Sequence, residues 1–522
     1  MIPESLFNSL QPVSGCIADA NSVLLPYSVK YFAWLNDLLP KPFFHTQGFL
    51  AFLLLCLSVY WMIPRRWQSA RIWLLVVASF HFYAAWSKDL AFLVLGTTII
   101  DYFLGRLLDA ARNRRVRLGV MLTSIVMNLG ILCYFKYRGF FLNELHEALI
   151  AAGRNPGYAK LNMNLLAAFV PFGISFYTFE AVSYTIDIYR RRIAAERSLP
   201  RFLLFILFFP HLVSGPIVRA GDFLRQARRP KRFNWVRVQV GVQLFLMGAF
   251  KKIAIADRMA VFSDPIMNDP QNYNTGLCWL GVLAYAIRIY CDFSGYSDMA
   301  IGAAHLFGYK LTQNFNMPYL STNVSEFWRR WHISLSTWLR DYLFIPLGGS
   351  RGSKWATDRN LMITMILGGL WHGAAWSYVL WGSAHALLLV LHRHFRVWAE
   401  HRPRLDAMLQ SGPGTLARMF VTFLSVMLCW VLFQPSLAKA MTMFERLFML
   451  HQGGLPLPLH NRSLWYTVGF VVLCHIFVAR GWWQKFYERL PAPVLGFGYA
   501  ICLCVALVLA PDGGESFIYF VF

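Results

Sequence analysis

The sequence predicts an all-α, polytopic membrane protein, and three observations carry that expectation. Of 522 residues, 57% are hydrophobic and only 14% are charged, and mean hydropathy is +0.44. A water-soluble chain carries about 25% charged residues. Apolar stretches long enough to cross a bilayer recur along the chain. Arg and Lys cluster in the short segments between alternate stretches, which is the positive-inside pattern. These features exclude an ordinary cytosolic enzyme, a disordered chain and a disulfide-rich secreted domain. The net charge of +23 belongs to the loops. No zinc-finger, RNP-type or basic-zipper pattern accompanies it, so the expected partner is the lipid bilayer and not nucleic acid.

Residues 1–45 mix Pro, Asn, Ser and Asp with short apolar patches. They lack the basic start and clean apolar core of a signal peptide and read as an extracytoplasmic N-terminal extension. A single transmembrane domain is expected over 46–522. Its first span, about 48–63, ends at Arg65, Arg66 and Arg71. The second covers 72–86. The third, 90–108, ends in a loop with Arg112, Arg114, Arg115 and Arg117. The fourth, 118–135, leads to a longer loop at 136–160. The fifth, 164–188, ends at Arg190, Arg191, Arg192 and Arg197. Basic loops after spans one, three and five put those loops in the cytoplasm and the N-terminus outside.

The stretch 202–217 breaks the rhythm: it is short, contains Pro210, Gly215 and Pro216, and has Arg on both flanks. Irregular backbone at membrane depth needs protein or a water-filled cavity around it, so a re-entrant segment lining a cavity is expected. Span six, about 238–260, leads to an outside loop at 262–275, and span seven covers about 276–304. The run 361–391 is long for one span and short for two, and it holds Gly368, Gly369 and Gly373; a bent, partly re-entrant hairpin fits. Spans at 416–433, 464–479 and 493–510 complete a count of about ten full spans plus re-entrant pieces. The fold expected is ten to twelve transmembrane helices with re-entrant and interfacial helices.

Polar side chains inside membrane segments are costly and mark functional sites. Here they collect between residues 285 and 385. The first group includes Asp292, Ser294, Tyr296 and Asp298; two acids in an apolar span need partners, and pinning helices together is the plain reading beside a substrate-lining one. The second runs Glu326-Phe327-Trp328-Arg329-Arg330-Trp331-His332. Glu326 and Arg330 are spaced for a helical ion pair, Arg329 and Arg330 could equally hold phosphates, and the rings suit an interfacial anchor. The third is Gly368-Gly369-Leu370-Trp371-His372-Gly373. A buried, neutral His can serve as a general base, although a lone His on an apolar face is more often a satisfied core residue. Two such groups, His332 and His372, shift the balance toward chemistry.

Other patterns carry little. Gly348 to Gly352 matches G-x-S-x-G by letter but sits in a basic loop with no strand before it. No Walker A motif or C-x-x-C pair occurs, and the nine Cys are scattered, so neither ATP, a metal nor a disulfide framework is expected.

These blocks carry a resemblance. Pro171 to Phe179 with Asp187-Ile188-Tyr189-Arg190, Leu212 to Ile217, Asp292 to Asp298, Asn314-Phe315-Asn316 to Tyr319, Phe327 to Ser336, Leu370 to Trp376, and Phe517 to Phe520 are similar to the membrane-bound O-acyltransferase superfamily, in its bacterial branch related to alginate O-acetyltransferase. The likeness spans roughly 43–522; Phe172 stands where Val is common. It implies helices around a central tunnel, and transfer of an acetyl group from cytoplasmic acetyl-coenzyme A as donor substrate, with no resident cofactor. It makes His372 the catalytic residue and His332 the second functional His. Arg329 and Arg330 would meet the coenzyme A phosphates, and Asp292, Ser294, Tyr296, Asp298, Asn314, Trp328 and Trp371 would line the tunnel. It further implies a polysaccharide acceptor outside the cytoplasm, a separate periplasmic acetyl-transfer protein and residence in the bacterial cytoplasmic membrane. D-alanyl transfer to teichoic acid and peptidoglycan acetylation stay open. A transporter would show pseudo-symmetric halves, which the sequence lacks; a non-catalytic membrane scaffold is the remaining rival.

Overall fold

The computed structural model describes residues 44, 46–155, 157, 173–452, 454–456 and 461–509. Nearly all of the N-terminal extension, the start of the fifth expected span and the C-terminal Phe517 to Phe520 block lie outside the described residues. Every regular element among those described is helical. Among the described residues, seven helices are long and apolar enough to cross a membrane, or up to eight if the bent pair Gly48–Met62 and Arg65–Ala84 is one span. The ten to twelve expected are not all found among those residues.

The order begins with that pair, which is bent by 114°. The third span is Lys88–Ala110, capped by the Ser87 hydroxyl accepting Leu90 N–H. The fourth departs from expectation. Arg114–Ala151 is one continuous 38-residue helix, so most of the loop expected at 136–160 is helical. It passes through a π-turn at Cys133–Tyr137, which a hydropathy profile cannot register because Lys136 and Arg138 depress the local average. Ile174–Tyr189 follows.

The Pro-containing stretch is broken as expected, into Leu199–Leu207 and the single turn Phe209–Leu212, and residues 202–218 are buried throughout. Trp235–Asn268 is again one long helix with a π-turn at Lys251–Ala256. The loop expected at 262–275 therefore starts only after Asn268. Asp264 and Asp269, with no Lys or Arg in that stretch, had suggested a loop there, but the Asp264 carboxylate lies within the helix and has a basic partner, Arg288.

Thr275–Leu306 is the centre of the fold. It starts at the Asn274 cap, whose side chain accepts Leu277 N–H at 2.9 Å, and at about 1.5 Å per residue its 32 residues span a bilayer with length to spare. Of its most apolar window, 72% is buried, against 11–39% for the other six candidate spans, so it is surrounded by protein while the rest face lipid. It packs antiparallel on Trp235–Phe250 through two glycine pairs, Gly241 with Gly302 and Gly248 with Gly295. A Cβ on any of the four would strike the opposite backbone; close backbone approach of this kind is how helices associate where lipid removes the hydrophobic drive. The hairpin at 361–391 is present but longer than expected. It comprises Lys354–His372 and Trp376–Glu400, joined across Gly373, and its base is clasped by Asp358, which pairs with Arg393 and His394. Gly412–Val431, Asn461–Ala479 and Ala492–Leu509 complete the spans, with an amphipathic helix, Leu437–Phe448, between the first two.

Candidate functional site

Two short helices, Val324–Arg330 and Ile333–Leu339, meet at His332. His332 has φ +43°, in the left-handed region that residues with a Cβ seldom occupy, and such strain concentrates at functional sites. The kink turns its ring inward, where it is fully buried. His372 ends the Lys354–His372 helix and is also buried. Their ring centres are 6.5 Å apart.

Aromatic rings enclose the pair. Phe293 meets His332 edge-on at 4.7 Å, and Phe176 and Trp371 lie 6.4 and 6.1 Å away. Trp381 and Phe433 each stand edge-on to His372 at 5.0 Å. Helix Ile174–Tyr189 forms one wall: Phe179 stacks on Trp338 at 3.8 Å, and the Trp338 and Trp371 indoles donate to the carbonyls of Phe179 and Ser175. An enclosure of this kind excludes water and strengthens every polar interaction inside it.

Of the expected site residues, the structure brings His332, His372, Trp371 and Asn314 together. Trp328 is one ring removed, against Trp381 and His385. Ser294 is buried in the central helix. Asp292 and Asp298 meet lysines on the π-turn of the neighbouring helix: Lys252 bridges Asp257 at 2.7 Å and Asp292 at 3.0 Å, and Lys251 meets Asp298 at 2.6 Å. They tie two helices together, the plainer of the two readings for that group. Tyr296 stacks on Phe44 at 4.6 Å. Arg330 pairs with Glu326 at 2.7 Å, and Arg329 is exposed; neither guanidinium is drawn to the histidines.

Three residues at the site escaped the sequence reading. Lys136 donates to the carbonyls of Trp371 at 2.7 Å and His372 at 2.9 Å, and Tyr137 donates to Leu370 O at 2.9 Å. A helix leaves its last carbonyls without partners, and the π-turn at Cys133–Tyr137 aims two successive side chains at three of them. The available signal was Lys136, directly after an apolar run and two residues before Arg138. His385, fully buried beside Trp381, is the third.

Such a site can hold an acyl group away from water and accept or return a proton. Among the described residues no cluster of His, Cys, Asp or Glu could hold a metal ion.

Comparison with known proteins agrees with this chemistry. Residues 190–410 match the membrane-bound O-acyltransferase family. The chain is 40% identical to the "Probable alginate O-acetylase AlgI" of Pseudomonas aeruginosa over 84% of its length and 81% of that protein. It is 33% identical to the peptidoglycan O-acetyltransferase of Helicobacter pylori over 74% of each chain. The teichoic acid D-alanyltransferase of Bacillus subtilis is 32% identical over 43% of this chain and 60% of its own.

Proposed function

Since the chain belongs to the membrane-bound O-acyltransferase family, we propose that this multi-pass membrane O-acyltransferase acetylates a polysaccharide. The donor is acetyl-coenzyme A from the cytoplasm, and the acceptor is an exported or cell-envelope polysaccharide such as alginate or cellulose. What carries the reading is the pair of buried imidazoles 6.5 Å apart in an aromatic enclosure; the 40% identity to the probable alginate O-acetylase supports the substrate class. Peptidoglycan and teichoic acid acylation rest on relatives at lower identity.

His372 takes the proton of the attacking hydroxyl, whose oxygen bonds the thioester carbonyl carbon. The C–S bond breaks, and the coenzyme A thiolate receives a proton in turn. Lys136 holds the carbonyls of the two peptides that flank His372 and so sets the direction of that imidazole. Arg329 and Arg330 are the candidates for the coenzyme A phosphates, Arg329 being the one free of an intrahelical ion pair. The protein sits in the bacterial cytoplasmic membrane and hands its acetyl group to a periplasmic partner for final transfer.

The test is acetyl-coenzyme A cleavage and acceptor acetylation by purified His372→Asn protein. Asn keeps polarity without basicity, so activity should fall about 10²–10⁴-fold at unchanged detergent monodispersity. Substantial acetylation by this variant refutes the base assignment.

A further inference from the structure

Asn314 lies in the irregular segment between the central helix and Val324–Arg330. Its side-chain oxygen faces three groups: the backbone N–H of Ser334 at 3.2 Å, the Ser334 hydroxyl at 2.9 Å and Nδ1 of His332 at 3.2 Å. Its amide nitrogen donates to Ser297 Oγ at 3.2 Å. A backbone N–H can only donate, so the group facing Ser334 must be the oxygen. The Ser334 hydroxyl accepts Ile217 N–H at 3.1 Å, which frees its own proton for Asn314. An Nδ1 facing that same oxygen bonds to it only as N–H. A neutral imidazole carries one N–H, so Nε2 holds the lone pair. That Nε2 is buried and has no hydrogen-bond partner among the described residues.

The backbone supports the same arrangement. Ile333 N–H donates to Asn314 O and Asn316 N–H to Arg330 O, both at 2.9 Å. These two bonds bracket His332 and hold it in its left-handed conformation. Ile217 thus fixes the Ser334 hydroxyl, Ser334 fixes the Asn314 oxygen, and that oxygen alone faces the ring nitrogen.

We infer that Asn314 is a positioning residue: it locks His332 as the Nδ1–H tautomer, so that Nε2 serves the site as a proton acceptor and not as an oxyanion donor. The inference rests on the acyl-transfer reading and decides the part played by the second histidine. The hydroxyl gives its proton to the imidazole pair, its oxygen bonds the carbonyl carbon, the C–S bond breaks, and the thiolate takes the proton back from the pair. While neutral, His332 turns no N–H toward the reacting atoms, so the oxyanion must be met by other donors. Once protonated, its Nδ1–H is already placed on an oxygen that stabilises the imidazolium.

The test reads the tautomer directly and the chemistry separately. Protein labelled with ¹⁵N in its histidine rings, compared with His332→Gln protein to assign the signal, should show His332 with a protonated Nδ1 and a bare Nε2. Asn314→Leu removes the acceptor; kcat for acetyl transfer should fall about 10²-fold or more, with the donor KM within about threefold. Asn314→Asp keeps the acceptor and adds charge. It should retain the Nδ1–H signal and more of the activity than Asn314→Leu, and move the acidic limb of the pH–rate profile upward, because a carboxylate favours the imidazolium. An Nε2–H tautomer in the unmodified protein overturns the inference, as does wild-type kcat in Asn314→Leu. If Asn314→Leu does not fold, an unmoved acidic limb in Asn314→Asp overturns it equally. The tautomer is read on resting protein without donor or acceptor. An Nδ1–H signal in a protein that never cleaves acetyl-coenzyme A would therefore remove the acyl-transfer reading and leave the positioning intact.

Discussion

Replacing Lys136 with Met removes an ammonium while nearly preserving shape. The structure sets the size of the effect. Lys136 makes two charge-assisted hydrogen bonds, to Trp371 O and His372 O, each worth about 1.5–3 kcal/mol. Burying the ammonium has a cost that Met does not bear, so the net loss at this helix end is about 2–4 kcal/mol. A favourable charge at a helix C-terminus is lost as well. If about half of that loss appears as misplacement of His372 in the transition state, kcat falls about 10-fold or somewhat more, at about 1.36 kcal/mol per decade. The assay is steady-state acetyl transfer by purified protein, with thermal unfolding in the same detergent. Tyr137→Phe is the companion: it loses one neutral bond, to a carbonyl two residues before His372, at about 1 kcal/mol, and its kcat should stay within a few-fold of wild type. A Lys136→Met protein with wild-type kcat and an unchanged unfolding temperature would refute this account of how His372 is held.

Three further expectations follow from the same geometry. Lys252→Met strands Asp257 and Asp292 as buried carboxylates facing one another, so thermal unfolding should show a loss of about 3–5 kcal/mol. Asp292→Asn leaves the Lys252–Asp257 pair intact and should lose less; equal losses would mean that the bridge does not join these helices as described. Arg329→Gln and Arg330→Gln should each raise the donor KM, by roughly tenfold for a lost phosphate contact of about 1.5–3 kcal/mol. Wild-type KM in both would put the coenzyme A phosphates elsewhere. On a Cys-free background, a single Cys in the 109–117 loop should resist an impermeant thiol reagent added to intact cells; labelling from outside would reverse the orientation and the donor side with it.

Sequence by itself determined the class of fold, because lipid imposes its constraint on each segment separately. A helix must satisfy its own backbone and be apolar along its length, and both conditions can be read from local composition. Charge between segments is equally local, so the basic loops stood out without a structure. The same logic marked His332 and His372: an ionisable ring in an apolar run is conspicuous wherever it packs. Partners are a different matter. Asp292 and Asp298 announced that they needed cations, but only the approach of the central helix to Trp235–Phe250, at distances the glycine pairs allow, decided that Lys252 and Lys251 supply them. Lys136 looked like the first polar residue after a span. The π-turn at Cys133–Tyr137 carries the helix onward and turns that residue onto the carbonyl end of the helix bearing His372. Asn314 was one polar residue among several until the fold set its amide against His332 and Ser334. Which side chain completes which hydrogen bond depends on segments from 18 to 236 residues apart in sequence meeting at hydrogen-bond distance, and no local periodicity encodes that approach.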